Sequence, residues 1–429
     1  MAVYPVCVTH RAACILLALS VSTACTAPRP AGDTPATDAA IDSAPIADSA
    51  DDATPDGSPD TSIDPCANVR EARIDVIGMS QSGRYSPAGI ALGPGRMLLA
   101  GGYDFTFGVQ PSAEIVDTAA GTITDTGPLE FARNFPVAVR LRDERIALFG
   151  GFDPTIGSLQ SAEIYDAAAG VFRTSTARMS VGREAHTATL LPDGRVLVAG
   201  GLQARGFRFH SSAQLYDPTS DSFASVAAAM VSPRAFHAAV WLAARANVLL
   251  VGGDSGRGEL ASAERFDPAT GVFAAVVNER ARRGKAVAAV VLPDGRVLVA
   301  GGANVTDGSL ADADFYDPMT DQFTPAMPMH VRRMAFSLTS LADGRVLASG
   351  GWSDTETPAQ STATLELFDP MTGAWQILPF RMVSGRHDHV AIAVDACHVV
   401  IAGGQRAVRD VPNASGPREV EVVTIPRRP

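Results

Sequence analysis

A Gly-Gly dipeptide recurs seven times along this chain of 429 residues, at nearly constant intervals. The dipeptides begin at Gly101, Gly150, Gly200, Gly252, Gly301, Gly350 and Gly403, and successive first glycines are 49, 50, 52, 49, 49 and 53 residues apart. A repeat of this length indicates one supersecondary unit per period, which buries its apolar faces only by packing against its neighbours. The period constrains the fold strongly and the chemistry weakly, because one repeat scaffold carries many functions.

The third repeat shows most clearly what each unit encodes. Two apolar runs, residues 187 to 191 and 196 to 199, flank the turn sequence Pro192-Asp193-Gly194. Asp and Gly accept the backbone conformations of a tight turn, so this pattern predicts a β-hairpin. The second run is continuous and rich in Val, which favours a strand covered on both faces. Gly200 and Gly201 then allow the chain to leave the strand sharply.

Two further strands are predicted in the same unit. Residues 212 to 216 lead into Asp217-Pro218, a turn signal, and Phe223 follows six residues later in a fourth apolar segment. Seven such four-stranded units predict an all-β fold, the seven-bladed β-propeller, in which ring closure removes most free strand edges. The recurring aromatic residue of the fourth strand is interpreted as packing between blades, since it recurs once per unit at a core position.

The order of Arg, His, Gly-Gly, Tyr-Asp and a late aromatic resembles the kelch repeat, whose period is also about 50 residues. The resemblance extends over residues 70 to 425, and it implies a galactose-oxidase-like central domain. The match departs from the family where Phe replaces the usual Trp in four units and where Val116 and Ile123 replace the aromatics of the first unit. The seventh unit lacks a Tyr-Asp pair.

The seventh unit also lacks a fourth strand, and residues 72 to 77 have the phase of that missing strand. We therefore expect the N-terminal strand to pair with Glu419 to Thr424 and complete the last blade. Cys66 precedes the proposed closing strand, and Cys397 lies in the turn between the first two strands of the last blade. These positions fall on one end of the blade, which predicts a Cys66–Cys397 disulfide in an exported protein; two unpaired thiols are the alternative.

Residues 1 to 24 have the features of an export signal. A short apolar stretch from Ala12 to Leu19 is followed by small residues and Cys25, which resembles a bacterial lipoprotein signal with lipid on Cys25. Plain secretion is the alternative, because Ser22 stands where that family usually has Leu. Residues 25 to 66 hold nine Asp and one Arg and are predicted to form a disordered acidic linker to the propeller at 67 to 429.

The formal net charge of −11 comes mainly from that linker, so the propeller itself is mildly acidic and nucleic-acid binding is not expected. Seven arginines in one phase are candidates for a ligand-binding rim at one mouth of the central channel: Arg84, Arg133, Arg183, Arg234, Arg283, Arg333 and Arg386. Guanidinium groups there would bind a carboxylate or phosphate. The alternative is structural pairing with the recurrent polar residues of strand three: Glu114, Glu163, Gln214, Glu264, Asp314 and Glu366.

The sequence gives little support for a metal site or for a copper-oxidase site. His186, His237 and His389 share one repeat position, which favours a scaffold role, and His387 adds too few donors to predict a metal site. The copper oxidases that resemble galactose oxidase need two Tyr and two His ligands and a Tyr–Cys cross-link. After removal of the predicted signal peptide, only Tyr85 and Tyr103 remain outside the Tyr repeat position, so that site is predicted to be absent. No catalytic residue and no cofactor is predicted.

These observations favour a monomeric binding or interaction module of the cell envelope. It would recognise a protein or glycan through the Arg phase and the variable loops after Gly-Gly, and it would touch the membrane only through lipid on Cys25. Two alternatives stay open. One is an enzyme on acidic sugars, similar to kelch-type epimerases and mutarotases, with Arg holding the substrate carboxylate. The other is a structural envelope spacer.

Overall fold

The computed structural model describes residues 66–67, 69–276, 284, 286–356, 359–407 and 416–428. The predicted signal peptide, the linker up to residue 65, the lipidation candidate Cys25 and the rim candidate Arg283 lie outside the described residues. The chain divides into two units, Met1–Ala67 and Asn68–Pro429. Among the described residues no helix has the length and hydropathy needed to cross a membrane.

Asn68–Pro429 is all-β in its described part and forms the predicted seven-bladed propeller, with four antiparallel strands per blade. Strand β1 (Arg73–Met79) precedes blade 1. Blade 1 contains β2 (Ala88–Gly93), β3 (Arg96–Ala100), β4 (Tyr103–Asp104), β5 (Gly108–Val109), β6 (Ala113–Asp117) and β7 (Thr122–Asp125). Blade 2 contains β8 (Val137–Arg140), β9 (Ile146–Phe149), β10 (Phe152–Asp153), β11 (Gly157–Ser158), β12 (Ser161–Asp166) and β13 (Val171–Arg178).

The next two blades follow the same order. Blade 3 contains β14 (Thr187–Leu190), β15 (Val196–Ala199), β16 (Leu202–Gln203), β17 (Arg208–Phe209), β18 (Ala213–Asp217) and β19 (Ser222–Ser225). Blade 4 contains β20 (Ala238–Leu242), β21 (Asn247–Val251), β22 (Ala263–Asp267) and β23 (Val272–Val276).

The last three blades lead to the closure of the ring. Blade 5 contains β24 (Ala288–Val291), β25 (Val297–Ala300), β26 (Ala303–Asn304), β27 (Gly308–Ser309), β28 (Ala313–Asp317) and β29 (Gln322–Ala326). Blade 6 contains β30 (Ser337–Ser340), β31 (Val346–Ser349), β32 (Trp352–Ser353), β33 (Gln360–Ser361), β34 (Thr364–Asp369) and β35 (Ala374–Arg381). Blade 7 contains β36 (His387–Ala393), β37 (His398–Gln405) and β38 (Glu419–Thr424).

The N-terminal strand completes the last blade, as the phase of the repeat predicts. Strand β1 pairs antiparallel with β38, with Arg73 opposite Thr424 and Met79 opposite Glu419, and a bulge lies between Val76 and Gly78. The sheet order is β1-β38-β37-β36, and β36 contacts β2 of blade 1. The first strands of successive blades contact one another all around the ring, so the propeller is closed by both ends of Asn68–Pro429.

The core lies between neighbouring blades. Tyr216 and Phe223 of blade 3 pack against Phe149 of blade 2, with ring centroids 5.3 and 6.2 Å from that of Phe149, which confirms the predicted packing role of the repeated aromatics. Cys66 and Cys397 are both buried, and each is disulfide-bonded.

Candidate functional site

The Gly-Gly dipeptides lie at one end of the propeller, together with the hairpins β4–β5, β10–β11, β16–β17, β26–β27 and β32–β33 that follow them. We call this end the hairpin face, and we call the opposite end, which carries the turns at 192–194 and 317–321, the turn face. The second glycine of every dipeptide donates its N–H to a main-chain carbonyl of the next blade. For example, Gly201 bonds Arg234 at 2.8 Å, and Gly404 bonds Arg84 at 2.8 Å to close the ring.

The repeated arginines stand beside this ring of backbone bonds, and their side chains turn into the protein. Arg234 donates from Nη1 to the carbonyl of Gly252 at 2.9 Å and to that of Ser262 at 3.1 Å. Its Nη2 reaches the carboxylate of Glu264 at 2.7 Å. The other described members repeat the bond to the first glycine of the following dipeptide: Arg84, Arg133, Arg183, Arg333 and Arg386.

The structure corrects the interpretation of these arginines as a ligand-binding rim. All six described members have no exposed surface: Arg84, Arg133, Arg183, Arg234, Arg333 and Arg386 are each 0% exposed. Five of them pair with a strand-three carboxylate: Glu114, Glu163, Glu264, Glu366 and Glu421. Six cations around one axis would repel one another, and these pairs neutralise five of them inside the blades. The role supported by the contacts is structural.

Burial dominates the electrostatics of these pairs. It lowers the pKa of Arg333 and Arg386, and the nearby carboxylates Glu366 and Glu421 offset part of that effect. The sequence identified four of these five strand-three partners and missed Glu421, because the last blade has no Tyr-Asp signal to fix its register. The missed signal is the sequence Glu-Val-Glu-Val at 419–422, in which Glu421 is buried together with its neighbours Val420 and Val422.

Blade 3 is the exception to the pairing. Arg183 bonds the carbonyls of Gly200 and Ser212 at 2.7 and 3.0 Å, but Gln214 occupies the position of the carboxylate. The amide oxygen of Gln214 accepts from the N–H and the hydroxyl of Ser180. Burial lowers the pKa of Arg183 to about 10. Arg183 is thus a buried cation with neutral hydrogen-bond partners.

Blade 5 shows a second departure, which corrects the sequence alignment. Gly253 donates to the carbonyl of Gly284 at 2.6 Å, the bond that elsewhere goes to the repeated Arg. Ala286, two residues later, has a positive φ of 59°, like Ala185 two residues after Arg183. Gly284 therefore occupies the arginine position of blade 5, and Arg283, which the sequence placed there, is one residue out of phase.

The repeated histidines are buried scaffold groups. Nε2 of His237 lies 2.9 Å from the hydroxyl of Thr187, and Nε2 of His389 lies 2.9 Å from that of Ser349. Burial lowers the pKa of all three, to about 3 for His186, so they are neutral at pH 7. Both ring nitrogens of His186 lack a hydrogen-bond partner in the described part of the chain.

Glu184 is a buried carboxyl that the sequence did not single out. Its side chain lies beside Ser158 under the neighbouring hairpin, it is 7% exposed, and burial raises its pKa from 4.5 to about 8. The folded protein therefore holds a proton on Glu184 between pH 4.5 and pH 8 that the unfolded chain releases. Folding stability is lost as pH rises through that window, because the folded state binds the extra proton.

Replacing Glu184 by Gln should remove this loss. We expect Glu184→Gln to match the wild type in urea unfolding at pH 4 and to exceed it by about 4 kcal/mol at pH 7.5. His186 and Arg183 are shared by both proteins, so the difference isolates Glu184. A stability difference that stays constant between the two pH values would contradict the buried, protonated carboxyl.

A cluster of aromatic rings stands at the mouth of the central channel, and we call it the axial aromatic cluster: Tyr85, Tyr103, Phe105, Phe135 and Phe236. Tyr85 stacks on Phe105 at 5.5 Å and contacts Phe135 at 6.3 Å. Phe135 and Phe236 follow their repeated arginines by two residues and meet edge to face at 6.0 Å. The sequence singled out Tyr85 and Tyr103 as tyrosines outside the repeat position, and it missed Phe135 and Phe236, because these two rings belong to different repeats that meet at the axis.

Four hairpins of the hairpin face carry an exposed apolar side chain at the tip. Phe107, Ile156, Phe207 and Val305 are 71%, 49%, 42% and 55% exposed. Neighbouring hairpins are bonded to one another: Ala204 N–H donates to the Ser158 hydroxyl at 2.8 Å, and Ser309 N–H donates to Asp354 at 3.0 Å. The tips are therefore held in fixed positions by the adjacent blades.

Charged side chains accompany these tips. Arg205, Arg208, Arg257 and Arg406 are exposed on the same face, as expected for the loops after Gly-Gly. Arg205 donates to the carbonyl of Thr155 in the preceding hairpin at 3.3 Å. The sequence places a fifth arginine, Arg409, in these loops, and it lies outside the described residues.

Comparison with solved structures finds the same fold in distant proteins. A fungal alcohol oxidase of the AA5 family, in complex with copper, is 17% identical and has a TM-score of 0.62, covering 81% of this chain and 76% of its own. The solved structure of YjhT is 12% identical with a TM-score of 0.56, covering 71% of this chain and 100% of its own. No protein-family model and no curated protein matches the sequence.

The residues present here do not fit a copper site of the kind expected for galactose-oxidase-like enzymes. Among the described aromatic rings, the partners of Tyr85 and Tyr103 are other Tyr and Phe rings, and no His ring is one of them. Cys66 and Cys397 are disulfide-bonded, so neither sulfur is free for a cross-link to Tyr. The chain has the fold of a galactose-oxidase-like kelch propeller, and its described residues do not bring that set of ligands together.

Proposed function

We propose that this propeller is a binding module that recognises a protein partner of the cell envelope through its hairpin face. One observation carries the proposal: Phe107, Ile156, Phe207 and Val305 expose apolar side chains at the tips of hairpins on one end of the ring. Solvent-exposed apolar groups on a shared face are typical of interaction sites, and aromatic and Arg side chains are frequent anchors.

The rigidity of this face supports the same proposal. The inter-hairpin bonds from Ala204 to Ser158 and from Ser309 to Asp354 tie the hairpins of blades 2, 3 and 5, which carry three of the four tips, to a neighbouring hairpin before any partner arrives. A pre-organised surface loses little conformational entropy on binding, which favours affinity. The enzyme alternative assigned a substrate carboxylate to the repeated arginines, and those six described side chains have no exposed surface.

We also propose that the protein is located at the cell envelope. Export by residues 1 to 24 and lipid on Cys25 would tether the propeller to a membrane through the acidic linker. The apolar stretch of the signal and the Ala24-Cys25 junction support this. Fractionation of a Cys25→Ser variant tests it, because loss of the lipid should move the protein from the membrane to the soluble fraction.

Photo-crosslinking in the producing cells tests the binding face. The photoreactive residue p-benzoylphenylalanine would replace Phe107 or Phe207 on the hairpin face. In matched controls it would replace Met319 or Met371, which are 71% and 82% exposed on the turn face. We expect one discrete adduct from the two hairpin positions and none from the controls, with the partner identified by mass spectrometry. Equal adducts from both faces, or none from either, would contradict the proposal.

A further inference from the structure

A small polar cavity opens on the hairpin face between blades 6 and 7. Its volume is about 170 Å³, and its wall includes Arg381 at the end of β35, Arg406 just after β37, and Glu356, Gln360 and Ser384. Arg381 and Arg406 are exposed and differ from the buried repeated arginines, because they fall outside that phase. The repeat does not account for two guanidinium groups at one cavity.

The walls of this cavity are fixed by backbone contacts. Ser361 donates its N–H to the carbonyl of Ala407 at 2.9 Å, and the N–H of Ala407 returns to the Ser361 hydroxyl at 3.0 Å. Gly385 lies so close that an added Cβ would stand 2.0 Å from the Ser361 carbonyl oxygen. The cavity is therefore shaped by the packing of blade 6 against blade 7 and is formed before a ligand binds.

The charges of the wall do not cancel. The nearby buried carboxylates Glu366 and Glu421 are already paired with Arg333 and Arg386. Glu356 is the one carboxylate among the described residues that line the cavity, against the two cations Arg381 and Arg406. The formal charge of the wall is thus one positive unit, which a single negative charge would neutralise.

We propose that this cavity binds a small monocarboxylate. Guanidinium groups bind carboxylates with paired hydrogen bonds, and the Ser384 hydroxyl and Gln360 amide supply further donors on the same wall. The volume equals roughly five or six water molecules at their share of the liquid, which accommodates a molecule the size of lactate. The site is separate from the axial aromatic cluster and from the hairpin tips.

Isothermal titration calorimetry on the full chain tests the site, with sodium lactate as the probe and sodium sulfate as the divalent comparison at constant ionic strength. We expect saturable binding of one lactate per chain and weaker binding of sulfate. Arg381→Gln and Arg406→Gln should each weaken lactate binding by about tenfold, and the double variant should abolish it. Arg208→Gln, an exposed arginine of the blade 3 hairpin, serves as the control and should leave binding unchanged.

The variant Glu356→Gln gives a test that depends on charge alone. Removal of the one carboxylate among the described wall residues raises their formal charge to two, so the preference should shift from lactate toward sulfate. Absence of saturable lactate binding would overturn the proposal. Lactate binding that is equal in the wild type and in the Arg381→Gln, Arg406→Gln double variant would also overturn it, as would tighter binding of sulfate than of lactate by the wild type.

Discussion

Replacing Glu264 by Gln should lower the free energy of unfolding by about 3 kcal/mol, because it leaves the Arg234 cation buried without its counter-ion. Gln is nearly isosteric with Glu and keeps an oxygen for the N–H of Val231, which donates to Glu264 at 2.8 Å. The change therefore removes charge while it preserves shape. Urea unfolding followed by tryptophan fluorescence measures the effect.

The chain offers a matched reciprocal change in blade 3. Gln214→Glu supplies the missing carboxylate to Arg183, whose pKa is lowered to about 10 by burial, and it should raise the unfolding midpoint. A second control combines Glu264→Gln with Arg234→Met, which removes the orphaned cation and should recover part of the lost stability. If Glu264→Gln leaves stability unchanged, or if Gln214→Glu lowers it, the neutralising role of the pairs is contradicted.

Replacing Gly200 by Ala should destabilise the propeller by about 3 kcal/mol or more. Gly200 has a φ of 67°, and an added Cβ would stand 2.4 Å from the main-chain carbonyl oxygen of Arg234. That carbonyl accepts the inter-blade bond from Gly201, so relief of the clash breaks the contact between blades 3 and 4. Thermal unfolding of the purified protein measures the loss.

Gly121→Ala is the matched control. Gly121 has a similar φ of 62°, but an added Cβ there meets no atom within 4 Å. This variant carries only the cost of a left-handed conformation, about 1 kcal/mol. Equal destabilisation by Gly121→Ala and Gly200→Ala would mean that the close approach of the blades at Gly-Gly contributes nothing, contrary to the structure.

The repeat made most of the fold predictable. The spacing of Gly-Gly and the Pro-Asp-Gly turns gave the number of blades, and the unpaired segment before Met79 gave the closing strand, which pairs with β38 as expected. Such features are local in sequence, because each turn or strand is encoded by adjacent residues. The buried state of the arginines was predicted only as one of two alternatives, because sequence phase does not show which way a side chain turns.

The error at Arg283 has a traceable cause. Five of the repeated arginines precede the first glycine of the following dipeptide by 17 residues, and Arg234 precedes it by 18 because the first two strands of blade 4 pair over five residues and not four. The first two strands of blade 5 pair over four residues, so a spacing of 17 points to Gly284. Several arginines lie next to position 284, and Arg283 was aligned with the repeated arginines for that reason.

Two parts of the candidate site were not predictable from the sequence. Phe135 and Phe236 belong to repeats that meet only because the ring brings their positions to the axis. The cavity beside Arg381 depends on the packing of blade 6 against blade 7, which no single repeat encodes. Both features arise from tertiary closure of the ring.

The most direct test of the central claim compares two variants for binding to the partner identified by crosslinking. We propose that the hairpin tips recognise the partner and that the buried arginine–carboxylate pairs stabilise the folded propeller. The double variant Phe107→Ser, Phe207→Ser should therefore weaken partner binding by about tenfold or more, as expected when interface anchors are removed. Its unfolding midpoint should not change. Glu264→Gln should lower the midpoint and leave the Kd of the folded protein unchanged. Loss of binding in Glu264→Gln, with full affinity in the double Phe variant, would contradict the account.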